Sequence, residues 1–217
     1  MIALPFKPYS NVYIAGATNC GKTMWVRNFL KNSSSMFESD PPSKVLYSYS
    51  IYQDLFLTME NEIDNIKFKN NIPSQSDINS FAEDGKHGII VIDDNMSRAG
   101  KSQEVEDLFT KGSHHMKITT IFISQNMFNS SPKNRTISLN SQYMVIMKNP
   151  RACSQLNTLA QQLFGKGKSN VLCAVYIDVM KTPYNYFIID LHPGSNAEYM
   201  LRTQVFPNEY PIVYTTH

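Results

Sequence analysis

Apolar residues fall along this chain in short unbroken runs, set apart by polar segments that carry glycine and proline. Asn11–Ala15 (NVYIA), Gly88–Asp94 (GIIVIDD), Ile118–Gln125 (ITTIFISQ) and Gln142–Met147 (QYMVIM) are such runs. Runs of this length suit strands buried on both faces, as in a parallel sheet. Lys44–Ser50 (KVLYSYS) reads as a fifth strand. Helical spacing appears between them. Trp25/Phe29 and Val26/Leu30 are i,i+4 pairs in a helix from Lys22 to about Leu30. Leu156, Leu159, Ala160, Leu163 and Phe164 follow the i, i+3, i+4, i+7, i+8 template, with Gly165 as its stop. Val105, Leu108 and Phe109 mark another helical face, and Ile51–Glu60 and Val171–Met180 read as two further helices. Asn32–Ser43, Asn70–Ser76 and Asn126–Asn134 read as loops by composition. Tyr184–Leu191 and Tyr199–Phe206 read as a late hairpin. Alternating strands and helices predict an α/β fold, a mostly parallel sheet flanked by helices, with that C-terminal hairpin added.

Length and composition narrow the classes. At 217 residues, with 12 Phe, 12 Tyr and 11 Met, the chain is expected to form a single domain, 1–217, with an ample core. Three cysteines with no C-x-x-C argue against both a disulfide framework and a paired-cysteine zinc site. No stretch approaches the ~18–20 apolar residues of a membrane span. Met1–Ser10 lacks a signal-peptide core. The expectation is an intracellular chain without a membrane partner.

The net charge of +2 conceals an uneven distribution. All 18 acidic residues lie outside Leu108–Ile177, a stretch that holds Lys111, Lys117, Lys133, Arg135, Lys148, Arg151, Lys166 and Lys168. That stretch carries +8 against −6 for the remainder. Two readings stand: a strand-rich core that lacks carboxylates, or a face that meets a polyanion.

Gly16–Thr23 reads GATNCGKT and fits G-x-x-x-x-G-K-[ST]. It follows a strand and opens a helix, the context a phosphate-binding loop requires. Gly16 and Gly21 permit the tight turn that aims successive N–H groups, those of Ala17, Thr18, Asn19 and Cys20 among them, at phosphate. Lys22 is placed to bridge the β- and γ-phosphates of ATP, and the Thr23 hydroxyl to ligate Mg²⁺. Cys20 is either a thiol activated by the helix N-terminus or a small filler. Two other signals fail. Lys166–Ser169 sits in GKGKS, but Gln162 stands where a phosphate loop needs glycine. His114 and His115 are adjacent on a helix and make a poor metal pair.

Gly88–Asp94 ends in two carboxylates, at the strand end where open α/β sheets bind ligands. Asp93 is the candidate Mg²⁺ partner and Asp94 the candidate that polarises attacking water. Gln125 ends the next apolar run and is a candidate sensor of the γ-phosphate and that water.

A phosphate loop, a strand ending Asp-Asp and a following strand ending in Gln together resemble the additional-strand (RecA-like) class of P-loop ATPases. That class implies the sheet order 5-1-4-3-2. The segments LFTKGSHHMKITTIFISQNMF (Leu108–Phe128), RTISLNSQYMVIMKNPRACSQL (Arg135–Leu156) and PYNYFIIDLHPG followed by LRTQVFP narrow the resemblance. They are similar to the genome-packaging ATPases of Polinton/Maverick elements, adintoviruses, virophages and poxviruses, within the FtsK–HerA superfamily. The resemblance implies an oligomeric ring of copies that drives double-stranded DNA into a preformed capsid, with ATP and Mg²⁺ between subunits and capsid proteins as partners. It implies a host-cell location, nucleus or cytoplasmic virus factory, or association with the virion. It also implies an arginine donated from a neighbouring subunit. Arg135 and Arg151, which flank the strand after the sensor, rank first, then Arg98, while Arg27 reads as a surface residue. One departure is Asp94, where many members of the superfamily carry Glu.

Overall fold

A computed structural model describes residues 4–93, 102–112, 115–127 and 132–215. Nine strands form one sheet: β1 (Asn11–Ala15), β2 (Lys44–Tyr49), β3 (Ile66–Asn70), β4 (Gly88–Asp93), β5 (Ile118–Ser124), β6 (Tyr143–Ile146), β7 (Phe187–Asp190), β8 (Leu201–Thr203) and β9 (Ile212–Tyr214). Their spatial order is β3-β2-β4-β5-β1-β6-β7-β8-β9. The five expected strands occupy the centre as β6-β1-β5-β4-β2, the 5-1-4-3-2 arrangement. The sheet differs from the expectation in its extent. β3 pairs in parallel on the outside of β2, and β7, β8 and β9 continue antiparallel beyond β6.

Eight helices are used below: α1 (Lys22–Lys31), α2 (Ser33–Met36), α3 (Leu55–Glu62), α4 (Gln75–Ala82), α5 (Gln103–Asp107), α6 (Pro132–Leu139), α7 (Ala152–Phe164) and α8 (Val171–Val179). A π-type turn, Leu108–Gly112, continues α5. Alternate residues of each central strand face opposite ways, and each face has its own core. Val12, Ile14, Ile89, Val91, Ile121, Ile123, Tyr143 and Val145 join Trp25, Val26, Phe29 and Leu30 of α1 on one side. Tyr13, Ala15, Ile90, Ile92, Phe122, Met144 and Ile146 meet Val105, Leu108 and Phe109, Ile137, and the buried residues of α7 and α8 on the other. Each fully buried large apolar side chain contributes about 1.5–3 kcal/mol. Double-sided burial is why these strands read as continuous apolar runs rather than alternating ones.

Several expected loops contain structure. Asn32–Ser43 includes α2 and a bridge between Phe6 and Phe37. The Asn70–Ser76 loop lies between β3 and α4, and α4 opens with a capping box in which the Ser74 hydroxyl accepts from the Asp77 N–H while the Asp77 carboxylate accepts from the Ser74 N–H. The Asn126–Asn134 loop yields to α6 at Pro132. The late hairpin is present but short, β7 against β8, with β9 as a third strand. The cysteine reading needs correction: Cys153 of α7 and Cys173 of α8 form a disulfide, while Cys20 is free and buried. Packing two consecutive helices against each other brings together residues twenty apart, a proximity no C-x-x-C spacing would reveal.

Among the described residues no helix is long and apolar enough to cross a membrane.

Candidate nucleotide-binding site

The parallel strands β1, β4, β5 and β6 end on the same edge of the sheet, and the loops that leave them build one site. The loop after β1 is stitched to both neighbours. The Gly16 N–H donates to Ser124 O (3.3 Å), the Ala17 N–H to Lys148 O (3.0 Å), and the Met147 N–H to Ala15 O (2.7 Å). Gly16 is required by close approach, because a Cβ there would stand 2.5 Å from Cys20 Sγ and 2.9 Å from Met147 Cβ. Asn19 and Gly21 are both left-handed, with φ of 63° and 100°. They curl the backbone into the first turn of α1, which carries no acidic residue. A helix N-terminus of this kind attracts anions.

Lys22 folds back on the loop, its Nζ donating to Gly16 O and Ala17 O at 2.8 Å each. Cys20 is held under Gly16, and burial raises its thiol pKa above the ordinary value, with nearby Lys22 opposing. Of the two readings of Cys20, the packed filler fits this geometry.

Next to the loop lies a cavity of ≈ 870 Å³ whose lining includes Thr18, Asn19, Gly21, Lys22, Thr23, Asp93 and Gln125. The sequence candidates on three separate strands therefore converge on one space. Asp93 is 5% exposed at the end of β4, and its Oδ2 accepts a hydrogen bond from the Tyr47 hydroxyl at 2.6 Å. Burial, then the Asp93 charge, raise the Tyr47 pKa well above its usual value, so the phenol stays a donor to that carboxylate. Thr23 and Asp93 offer a hydroxyl and a carboxylate oxygen, hard donors that suit Mg²⁺ completed by water and phosphate. Among the described residues no group of three or more His, Cys, Asp or Glu is placed to hold a metal by itself.

Gln125 is exposed at the end of β5. Its backbone carbonyl accepts from Asn149 Nδ2 at 3.0 Å, and Asn149 Oδ1 accepts from the Arg151 N–H at 3.0 Å. The Asn149 N–H donates in turn to the Tyr176 hydroxyl at 2.8 Å. Asn149 thus ties together the ends of β5 and β6 and the start of α7, a role with no signal in the sequence beyond its place before Pro150.

Arg151, just before α7, and Arg135, on α6, are exposed, and neither is among the residues that line the cavity. Arg27 does line it, and its guanidinium forks onto Glu62 of α3 at 2.8 and 2.7 Å. The surface role expected for Arg27 gives way to a half-buried ion pair that braces α1 against α3. Asp94, Arg98 and His114 lie outside the described residues. Among the described residues the basic stretch does not form one face. Lys148 and Arg151 follow the C-terminal end of β6, whereas Lys117 precedes β5 at the opposite edge. Lys166 and Lys168 follow α7, about 20 Å along a helix of 13 residues.

The far wall of the cavity was not visible in the sequence. Met147, Tyr184, Tyr186, Phe206 and Glu209 line it. The Tyr186 ring packs against Trp25 (5.8 Å) and Phe206 (5.5 Å), and its hydroxyl donates to Glu209 and accepts the Val205 N–H.

Parallel strands ordered about a phosphate-type loop, with helices on both faces, define an α/β fold of the P-loop NTPase class. The fold matches that of solved viral proteins. The genome packaging NTPase B204 of Sulfolobus turreted icosahedral virus 2, in complex with sulfate, aligns with a TM-score of 0.55 over 94% of this chain and 97% of that one, at 9% identity. The same protein in complex with ATP-gammaS aligns with a TM-score of 0.50 over 86% and 94%, at 10% identity. At such identities the likeness is one of fold. No protein-family model matches the chain, and no curated protein sequence matches it.

Proposed function

We propose that this chain is an ATPase of the FtsK–HerA type, a single domain that works as a ring and drives double-stranded DNA into a preformed viral or virus-like capsid. The observation that carries the reading is the convergence of Lys22, Thr23, Asp93 and Gln125 on one cavity beside a glycine-turned loop. The near full-length likeness of fold to a viral packaging NTPase supports the choice of client.

In this reading the loop N–H groups and Lys22 bind the triphosphate and neutralise charge that grows on the γ-phosphate in the transition state. Bound Mg²⁺ would supply further charge neutralisation at the phosphates, with Thr23 and Asp93 as its protein contacts. Asp94 accepts a proton from, or orients, the attacking water, and Gln125 bonds that water and the γ-phosphate. Arg135 or Arg151 reaches the cavity of an adjacent copy. Their exposure and their exclusion from the lining of their own cavity support an action in trans, where a finger of this kind contributes about 10³–10⁵ in rate.

The test is steady-state ATP hydrolysis with and without linear duplex DNA across a salt series. Stimulation by DNA that fades as salt rises is expected, because phosphate contacts release counterions. An ATPase indifferent to DNA would overturn the motor, and phosphorylation of a nucleoside would replace it with a kinase. Asp94→Asn is expected to bind ATP yet lose about 10²–10⁴ in turnover. ATP binding without turnover in any assembly would instead leave a nucleotide-gated structural protein.

A further inference from the structure

Tyr184 combines three observations that the chemistry above leaves unused. Thr182–Asn185 is a tight turn closed by the Asn185 N–H on Thr182 O at 3.3 Å, and Tyr184 occupies its third position with φ 58°. That position favours glycine or asparagine, and a bulky ring there is strained. The residue is 74% exposed although it lines the cavity. Its Cδ1 stands 3.5 Å from where a Cβ on Gly21 would be, with Met147 Cε at 3.4 Å from the same point. A strained, exposed aromatic held against the last glycine of the loop is poorly explained by packing, since packing would bury it.

The sheet order says what it faces. Along the edge of the sheet run Asp93 at the end of β4, Gln125 after β5, the loop after β1, Met147 after β6, and Tyr184 before β7. Four inter-strand steps span about 19 Å. A triphosphate on the loop with its γ-phosphate toward Asp93 and Gln125 must send its other end toward Met147 and Tyr184. We propose that Tyr184 is the stacking platform for the adenine base of ATP, with the adaptable Met147 thioether filling the space beneath. The proposal rests on the nucleotide reading of the loop and adds the base subsite to it. Stacking of a base on an aromatic ring needs only a π-face, and turn strain fixes the ring in place before the ligand arrives.

The test compares equilibrium binding of ATP and of inorganic tripolyphosphate, both with Mg²⁺, to the wild type and to Tyr184 and Lys22 variants of the full chain. Tyr184→Ala and Tyr184→Leu are expected to weaken ATP about tenfold and leave tripolyphosphate unchanged. Tyr184→Phe and Tyr184→Trp are expected to stay within about twofold of wild type for ATP. Wild-type ATP affinity in Tyr184→Ala would overturn the platform. So would an equal loss for both ligands, which would make Tyr184 a mere support for the loop. Lys22→Ala binding both ligands as well as wild type would overturn the phosphate site itself, and the platform with it.

Discussion

The six parallel strands and the three antiparallel ones beyond them are held by different chemistry. The central parallel strands β1, β4, β5 and β6 bury apolar side chains on both faces, and little about them depends on a single polar contact. The β7–β9 wing depends on specific polar pairs. Arg202 and Asp190 form an ion pair at 2.9 Å with side chains only 3% and 1% exposed. The Arg202 guanidinium lies over the rings of Phe6 (5.7 Å) and Tyr143 (5.9 Å), while its Nε and Nη2 have no hydrogen-bond partner among the described residues. The rings offset part of that lost hydration. The Thr203 hydroxyl donates within the same region, and Asn185 Oδ1 and Tyr186 O are its partners. The difference shows that one sheet can be held at its centre by hydrophobic burial and extended at one side with the help of charge and hydrogen bonding.

Substitutions can break that comparison. The largest effect is expected from Asp190→Asn. Removing one partner of a buried ion pair leaves an uncompensated charge and costs about 3–5 kcal/mol. Urea unfolding measures it, and a loss under 1 kcal/mol would place the wing's stability elsewhere. Lys22→Ala tests the parallel half. It is expected to lower ATP turnover by about 10²–10³, as loss of a charge-stabilising donor does, while the urea midpoint stays near wild type because the lysine supports the loop and not the core.

A smaller effect is expected from Tyr47→Phe, which takes one charged hydrogen bond from Asp93 and costs about 1.5–3 kcal/mol. Turnover in that variant should fall less than in Lys22→Ala; an equal fall would make the tyrosine part of the chemistry. The smallest concerns pH. His87 is buried, its Nδ1 donating to Asp40 O and its Nε2 accepting from the Thr119 hydroxyl at 2.9 Å. Burial pushes its pKa below the usual value, with the Asp40 carbonyl opposing. The unfolded chain then binds a proton the folded one refuses. Stability is therefore complete above about pH 6.5 and falls as pH drops below it toward the folded pKa. His87→Gln is expected to flatten the change in urea midpoint between pH 7.5 and 5.5, and an unchanged slope would assign it to other groups.

How much was legible follows from the same contrast. The five central strands, α1, α7 and α8, and the phosphate-loop residues could be read from the chain, because each rests on local periodicity or contiguous spacing, whereas the order of those strands came only with the resemblance to the additional-strand class. β3 (IKFKN) was missed since its side chains are only partly covered at an edge, which leaves lysines among the apolar residues. α4 was missed although Ser74 and Asp77 stood at capping-box spacing, because only Ile78 of it is buried. The Cys153–Cys173 bond, the Asn149 bracket and the Tyr47 contact to Asp93 each join residues 20 or more apart.

The sequence by itself determined the phosphate end of the cavity, where the motif folds onto itself within eight residues and the flanking apolar runs dictate the strand and helix around it. Only the tertiary structure decided the other end. Tyr184, Tyr186, Phe206 and Glu209 line that end because β7 runs antiparallel beside β6, and that pairing is fixed by long-range burial and the Arg202–Asp190 contact, not by any spacing along the chain.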